Sequence, residues 1–136
     1  MTPTNEIWLF TDGGARGNPG PSACAAVLMT SEGEVIEQQG KYLGEVTNNM
    51  AEYEGLLLGF ELAVKHNVQN LKLHMDSELI VMQMNGAYRV KEPRLKEKWE
   101  LAKVAKAKIP QIKIVHVRRE KNALADALVN EVLDSQ

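Results

Sequence analysis

At 136 residues the chain has room for one domain and little for a second, and its 44% hydrophobic and 25% charged residues suit a globular protein with a real core. No stretch approaches the roughly 18 apolar residues of a membrane span, no basic leader precedes the first apolar run, and the lone cysteine, Cys24, excludes an internal disulfide and a CxxC metal pair. The net charge of −2 hides an asymmetry, since residues 89–121 hold twelve Lys/Arg against four Asp/Glu and the remainder holds four against fourteen.

These features make a cytosolic chain with one buried thiol the expectation. The basic stretch is either a solvated helix face or a surface that follows phosphates by releasing their counterions.

Taken in chain order, residues 7–12 form a short apolar strand that runs into the Gly/Pro-rich loop TDGGARGNPGPS. Residues 23–29 make a second strand. SEGE supplies a turn into a third, residues 35–43, whose mixed polarity suits a place near an edge. Thr47, Asn48 and Asn49 can each cap a long helix over residues 50–66. A fourth strand, residues 71–76, stops at Ser77, which can cap a helix reaching Asn85. Pro93 suits the first turn of another helix toward Ala107, and Pro110 stops it. IKIVHV alternates as a fifth strand, and residues 122–133 close the chain as a helix with an apolar stripe of Leu124, Leu128, Val129 and Val132. The order βββαβααβα predicts an α/β fold: one mixed five-stranded sheet, antiparallel hairpins first, with helices packed on its faces.

Four carboxylates fall where the pattern points toward the core. Asp12 ends the first strand on the side-chain parity of Trp8 and Phe10, and Asp76 ends the fourth on the parity of Lys72 and His74. If those strands are neighbours, both carboxylates emerge at one sheet edge. Glu52 shares a helical stripe with Gly55 and Gly59, and two interior glycines cost about 1 kcal/mol each unless close packing compensates. Glu52 then either reaches the strand ends or turns back to Asn49 as a capping glutamate. Asp126 borders the last helix's stripe, where it is either a functional group or a favourable acid near a helix N-terminus. Four converging carboxylates would repel one another and raise each other's pKa unless cations neutralise them. An all-oxygen set without Cys or a His cluster suits Mg²⁺ or Mn²⁺. Two such ions can hold an attacking water and a leaving oxygen about a phosphate.

The motifs TDGGARGNPGP, TNNMAEYEGL, MDSEL and NALADAL occur in that order over nearly the whole chain. Together they resemble the type I ribonucleases H. The resemblance implies that Asp12, Glu52, Asp76 and Asp126 bind metal and catalyse, and that the substrate partner is an RNA/DNA hybrid. The RNA strand is then cut by two-metal hydrolysis to 3′-hydroxyl and 5′-phosphate ends. It also implies that Asn18, Asn48 and Asn49 meet the hybrid backbone and the 2′-hydroxyls that distinguish RNA from DNA. Ser77, Glu78 and Asn122 are expected beside them as substrate contacts, with Glu78 standing where many relatives carry glutamine. Gly13 and Gly14 are expected to leave room beside Asp12 for metals and a phosphate.

The sequence also departs from the best-known bacterial pattern. HVRREKNALAD carries no histidine-bearing glycine loop before the last aspartate; His116 reads as a strand side chain, and Arg119 resembles the arginine of another branch. An arginine there can steady a phosphate but cannot relay protons. The stretch GAYRVKEPRLKEKWELAK looks too short for the basic protrusion of some relatives, and no accessory domain is expected before Ile7. Grip then falls to Arg89, Lys91, Arg94 and Lys96. Trp99 reads as core, Tyr88 as core or contact, and the chain as a monomer with no exposed apolar helix face.

Overall fold

The computed structural model describes residues 5–136, so the stretch Met1 to Thr4 and the expectation of no accessory domain there lie outside the described residues. The elements are β1 (Ile7–Ala15), β2 (Gly20–Thr30), β3 (Val35–Val46), α1 (Asn48–Lys65), β4 (Asn70–Met75), α2 (Glu78–Met84), α3 (Pro93–Lys106), β5 (Gln111–His116), a 3₁₀ turn (Arg119–Asn122) and α4 (Ala123–Asp134). They form one five-stranded sheet in the order β3-β2-β1-β4-β5. The β1/β2 and β2/β3 pairs are antiparallel, and the β1/β4 and β4/β5 pairs are parallel.

Period-two alternation splits the sheet's side chains between two layers. Leu9, Cys24, Ala26 and Leu28 face the main core with α1, α2 and α3, whereas Ala23, Ala25 and Val27 face α4. β2 is therefore buried on both faces, which explains its run of small apolar residues and the burial of Cys24.

α1 lies against β1 almost backbone to backbone. A Cβ at Gly55 would sit 2.5 Å from the Asp12 carbonyl oxygen, and one at Gly59 2.6 Å from Thr11 Cγ2. A Cβ on Gly13 would strike the Ala51 carbonyl. Its missing side chain thus makes room for α1, while Gly13 itself still lines a cavity beside Asp12. Gly14, whose Cβ would reach only Val129 Cγ1 at 3.8 Å, is the glycine that leaves space on the other side.

β2 starts three residues earlier and β3 ends three residues later than expected, and three further boundaries depart in ways that shape the site. Asp12 does not end its strand, because Gly13, Gly14 and Ala15 keep pairing with Cys24, Ala23 and Ser22 of β2. The β1/β4 ladder, however, ends at the rung Phe10 and His74. Asp12 and Asp76 thus lie just past the last parallel rung, where the two strands part. Secondly, Thr47 alone caps α1, its hydroxyl accepting from the Met50 amide at 3.2 Å, so the helix starts at Asn48 and Glu52 does not turn back to Asn49. Thirdly, residues 119–122 form a 3₁₀ turn and α4 begins only at Ala123. Ser77 and Pro93 open α2 and α3 as expected, with Glu92 capping the latter.

α3 also leaves Leu101 and Val104 half exposed or more, against the expectation of no exposed apolar helix face. Among the described residues no helix is long and apolar enough to cross a membrane.

Candidate active site

The crevice beyond the last β1/β4 rung opens into a cavity of about 430 Å³. Its wall includes all four carboxylates singled out in the sequence: Asp12 from β1, Glu52 from the first turns of α1, Asp76 from the end of β4 and Asp126 from the start of α4. Alternation along parallel neighbours accounts for Asp12 and Asp76, and the glycine-mediated seat of α1 brings in Glu52. α4 delivers Asp126 from the opposite face of the sheet.

Charge is poorly compensated here. Burial, with repulsion from Asp76, Asp126 and Glu52 outweighing a Gly13 backbone hydrogen bond, pushes the Asp12 carboxyl up to about 8. Burial also raises Glu52 to about 7, against a Ser77 hydroxyl bond that favours its charged form. Asp76 is raised by desolvation, partly offset by a bond from Asn122. Glu52 Oε2 is buried with no hydrogen-bond partner. The nearest cation, Arg119, stands 77% exposed with Nη2 3.6 Å from Asp126 Oδ1.

Among the described residues no three His, Cys, Asp or Glu side chains converge tightly enough to hold an ion as they stand. The orphaned Glu52 oxygen, the raised carboxyls and the absence of soft ligands together fit hard divalent cations bound by oxygen.

Asn122 requires a correction. Only 1% exposed, it cannot meet a substrate; its Nδ2 donates to the Thr11 carbonyl at 2.9 Å, it favours the charged form of Asp76, and its Oδ1 is buried without a hydrogen-bond partner. It therefore ties the turn before α4 to β1 and steadies a catalytic-site acid. Ser77 is likewise engaged inside the protein, by the α2 amide of Ile80 and by Glu52.

Asn18 and Asn48 form a relay at the cavity's edge. Asn18 Oδ1 accepts from the Asn48 amide at 3.1 Å, and Asn48 Oδ1 accepts from the Ala15 amide at 2.8 Å. With Asn49, both border a second cleft that also holds Arg94. Arg89, Lys91 and Lys96 line a third cleft with Tyr88 and Trp99. Neither cleft contains any of the four carboxylates. Glu78 is exposed on the first turn of α2 and borders none of the three clefts. Trp99 packs against the main core, as expected. Its indole N–H donates to the Gln83 carbonyl at 3.2 Å while its ring carries Lys103 Nζ at 3.8 Å. His116 is the exposed last residue of β5.

Arg16 was not foreseen as a site residue, yet it lines the carboxylate cavity. Parity was the available signal: positions 12, 14 and 16 alternate onto one side of the strand that begins the loop.

The family described as "Reverse transcriptase-like" matches residues 10–132. The RNase H1 of the halophilic archaeon Halobacterium salinarum superposes with a TM-score of 0.93 at 36% identity, covering 96% of this chain and 99% of that one. LC11-RNase H1, solved in complex with an RNA/DNA hybrid, is 46% identical with a TM-score of 0.90, covering 95% and 97%. The chain belongs to the type I ribonuclease H family. Among curated relatives, the ribonuclease HI of Halobacterium salinarum is 38% identical over 129 residues, which is 95% of this chain and 65% of that protein. A bifunctional protein of Mycobacterium tuberculosis matches at 38% over 131 residues, 96% of this chain and 36% of its own length. The ribonuclease H chain described here thus spans less than two thirds of either curated relative. Family membership brings dependence on a divalent metal.

Proposed function

We propose that this chain is an endoribonuclease that hydrolyses the RNA strand of RNA/DNA hybrids, leaving 3′-hydroxyl and 5′-phosphate ends. The observation that carries the reading is the convergence of Asp12, Glu52, Asp76 and Asp126 on one cavity that is short of positive charge. These four would hold two Mg²⁺ ions, with Mn²⁺ as a substitute. When bound there, such ions supply activation of the attacking water and neutralisation of the leaving oxygen.

The chain's own groups do the rest. Asn122 and Ser77 fix Asp76 and Glu52 from behind, so the acids are oriented before substrate arrives. Arg119, exposed to solvent beside Asp126, meets a phosphate oxygen through its guanidinium and transfers no proton. Asn18, Asn48 and Asn49 present amides to the hybrid's minor groove, held in place by the Asn18, Asn48 and Ala15 relay. Gly14 admits the strand beside Asp12. Arg94 in one cleft and Arg89, Lys91 and Lys96 in the other extend the grip along the backbone. The chain acts as one catalytic domain.

A non-catalytic hybrid-binding module of the same fold is disfavoured, because four uncompensated carboxylates beside a phosphate backbone weaken binding unless metal is recruited. The test is a hybrid with its RNA strand 5′-labelled, incubated with Mg²⁺ or Mn²⁺ beside single-stranded RNA and DNA duplex controls. Internal cuts confined to the RNA of the hybrid are expected. An intact hybrid under both metals overturns the enzymatic reading.

A further inference from the structure

Two side-chain cations border the carboxylate cavity. Arg119 faces Asp126. Arg16, from the segment that follows β1, touches none of the four acids; its Nη2 lies 2.6 Å from Asp134 Oδ1, at the end of α4 and 118 residues away in sequence. Asp134 does not line the cavity. Both partners stand in solvent, with side chains 48% and 69% exposed, and ion pairs so placed contribute little to stability. A guanidinium is a planar fork that binds a phosphate as readily as a carboxylate. An incoming backbone phosphate carries the same charge as Asp134, and the rest of the polyanion favours the exchange.

From this geometry we propose that Arg16 is a contact for a hybrid phosphate neighbouring the cleavage point, and that Asp134 is its resting partner, a carboxylate that competes with substrate and so sets affinity. The proposal rests on the hybrid-hydrolysis reading and adds to it a residue of the glycine loop and a residue of the last helix. Asp134 acts through Arg16 and is a positioning residue.

The experiment measures binding of a labelled hybrid to the full chain carrying Asp12→Asn, with Mg²⁺, over a series of salt concentrations. Adding Arg16→Ala weakens binding about tenfold, the worth of one charge-assisted hydrogen-bonded contact. It also makes the log–log salt dependence shallower by about one counterion. Arg16→Lys keeps the salt slope and recovers only part of the affinity, since the charge stays and the fork is lost. Asp134→Asn tightens binding by about threefold, the scale of an exposed ion pair, and has no effect in the Arg16→Ala background. In the otherwise unaltered chain, Arg16→Ala raises KM and leaves kcat nearly unchanged. Unchanged affinity and salt slope in Arg16→Ala, with equal losses of Tm in Arg16→Ala and Asp134→Asn, would overturn the proposal and make the pair a surface tie. Failure of the unaltered chain to cut hybrid strikes the functional reading instead, because the Arg16 series is read on binding.

Discussion

Replacing Asp12 by Asn stabilises the metal-free protein at neutral and alkaline pH while it abolishes activity. The Asp12 carboxyl rises from 3.8 to about 8, first because it is buried and then because three other acids share its cavity. A raised carboxyl makes the folded state bind more protons than the unfolded one between those two values. Stability is therefore fully present below about pH 4 and falls as pH climbs toward 8. At pH 7 the loss spans about three pH units, or roughly 4 kcal/mol as a ceiling. An asparagine keeps the shape, removes the charge and relieves the neighbouring acids, at the cost of burying an amide. A net gain of about 1–3 kcal/mol is expected, or roughly 5–10 °C in Tm for a chain of this size. The assay is thermal unfolding in chelator from pH 4.5 to pH 8. The two proteins should melt together at the acid end and separate as pH rises. Adding Mg²⁺ should then raise the wild type more than the variant, because binding to the native state alone stabilises it. Equal Tm differences at both ends of the range would refute the charge-repulsion account of the cavity.

Gly55→Ala and Gly59→Ala should each cost about 2–4 kcal/mol in denaturant unfolding, since the new Cβ would meet the β1 backbone or the Thr11 and Leu9 side chains; a loss below the ~1 kcal/mol of an ordinary surface change would deny the close seat of α1. Asn122→Ala should destabilise the protein by about 1–3 kcal/mol and lower kcat more than it raises KM, because the Thr11 carbonyl and Asp76 lose their donor away from the substrate. A pure KM effect would instead return Asn122 to the substrate surface. Neutralising Lys91, Arg94 and Lys96 together should weaken hybrid binding and flatten its salt dependence by about two to three counterions; an unchanged slope would remove both basic clefts from the interface.

The carboxylates were legible because strand parity and helix spacing are local and rigid rules. Trp8, Phe10 and Asp12 had to share one side of a strand, and Gly55 and Gly59 had to mark the line along which α1 touches the sheet. What those rules do not encode is where a ladder stops. β1 runs past Asp12 because β2 continues to pair with it, while β4 leaves after His74; the crevice is a product of that mismatch. The second duty of Gly13 was hidden for the same reason, since only the seated helix shows that Ala51 lies where its Cβ would be. Asn122 was placed at the substrate by resemblance alone, and the 3₁₀ turn that folds it inward has no clear signature in REKN. The apolar side chains left open on α3 escaped notice because helical spacing identifies a stripe but not whether anything covers it.

The central claim is that four carboxylates around one cavity recruit divalent metal to cut RNA. It is tested most directly by following a labelled RNA/DNA hybrid with Mg²⁺ and equal amounts of wild-type and Asp12→Asn protein, with binding measured in parallel. The account predicts RNA-strand cleavage by the wild type and none by the variant, which still binds the hybrid and unfolds cooperatively. Cleavage by the variant at the wild-type rate would contradict it.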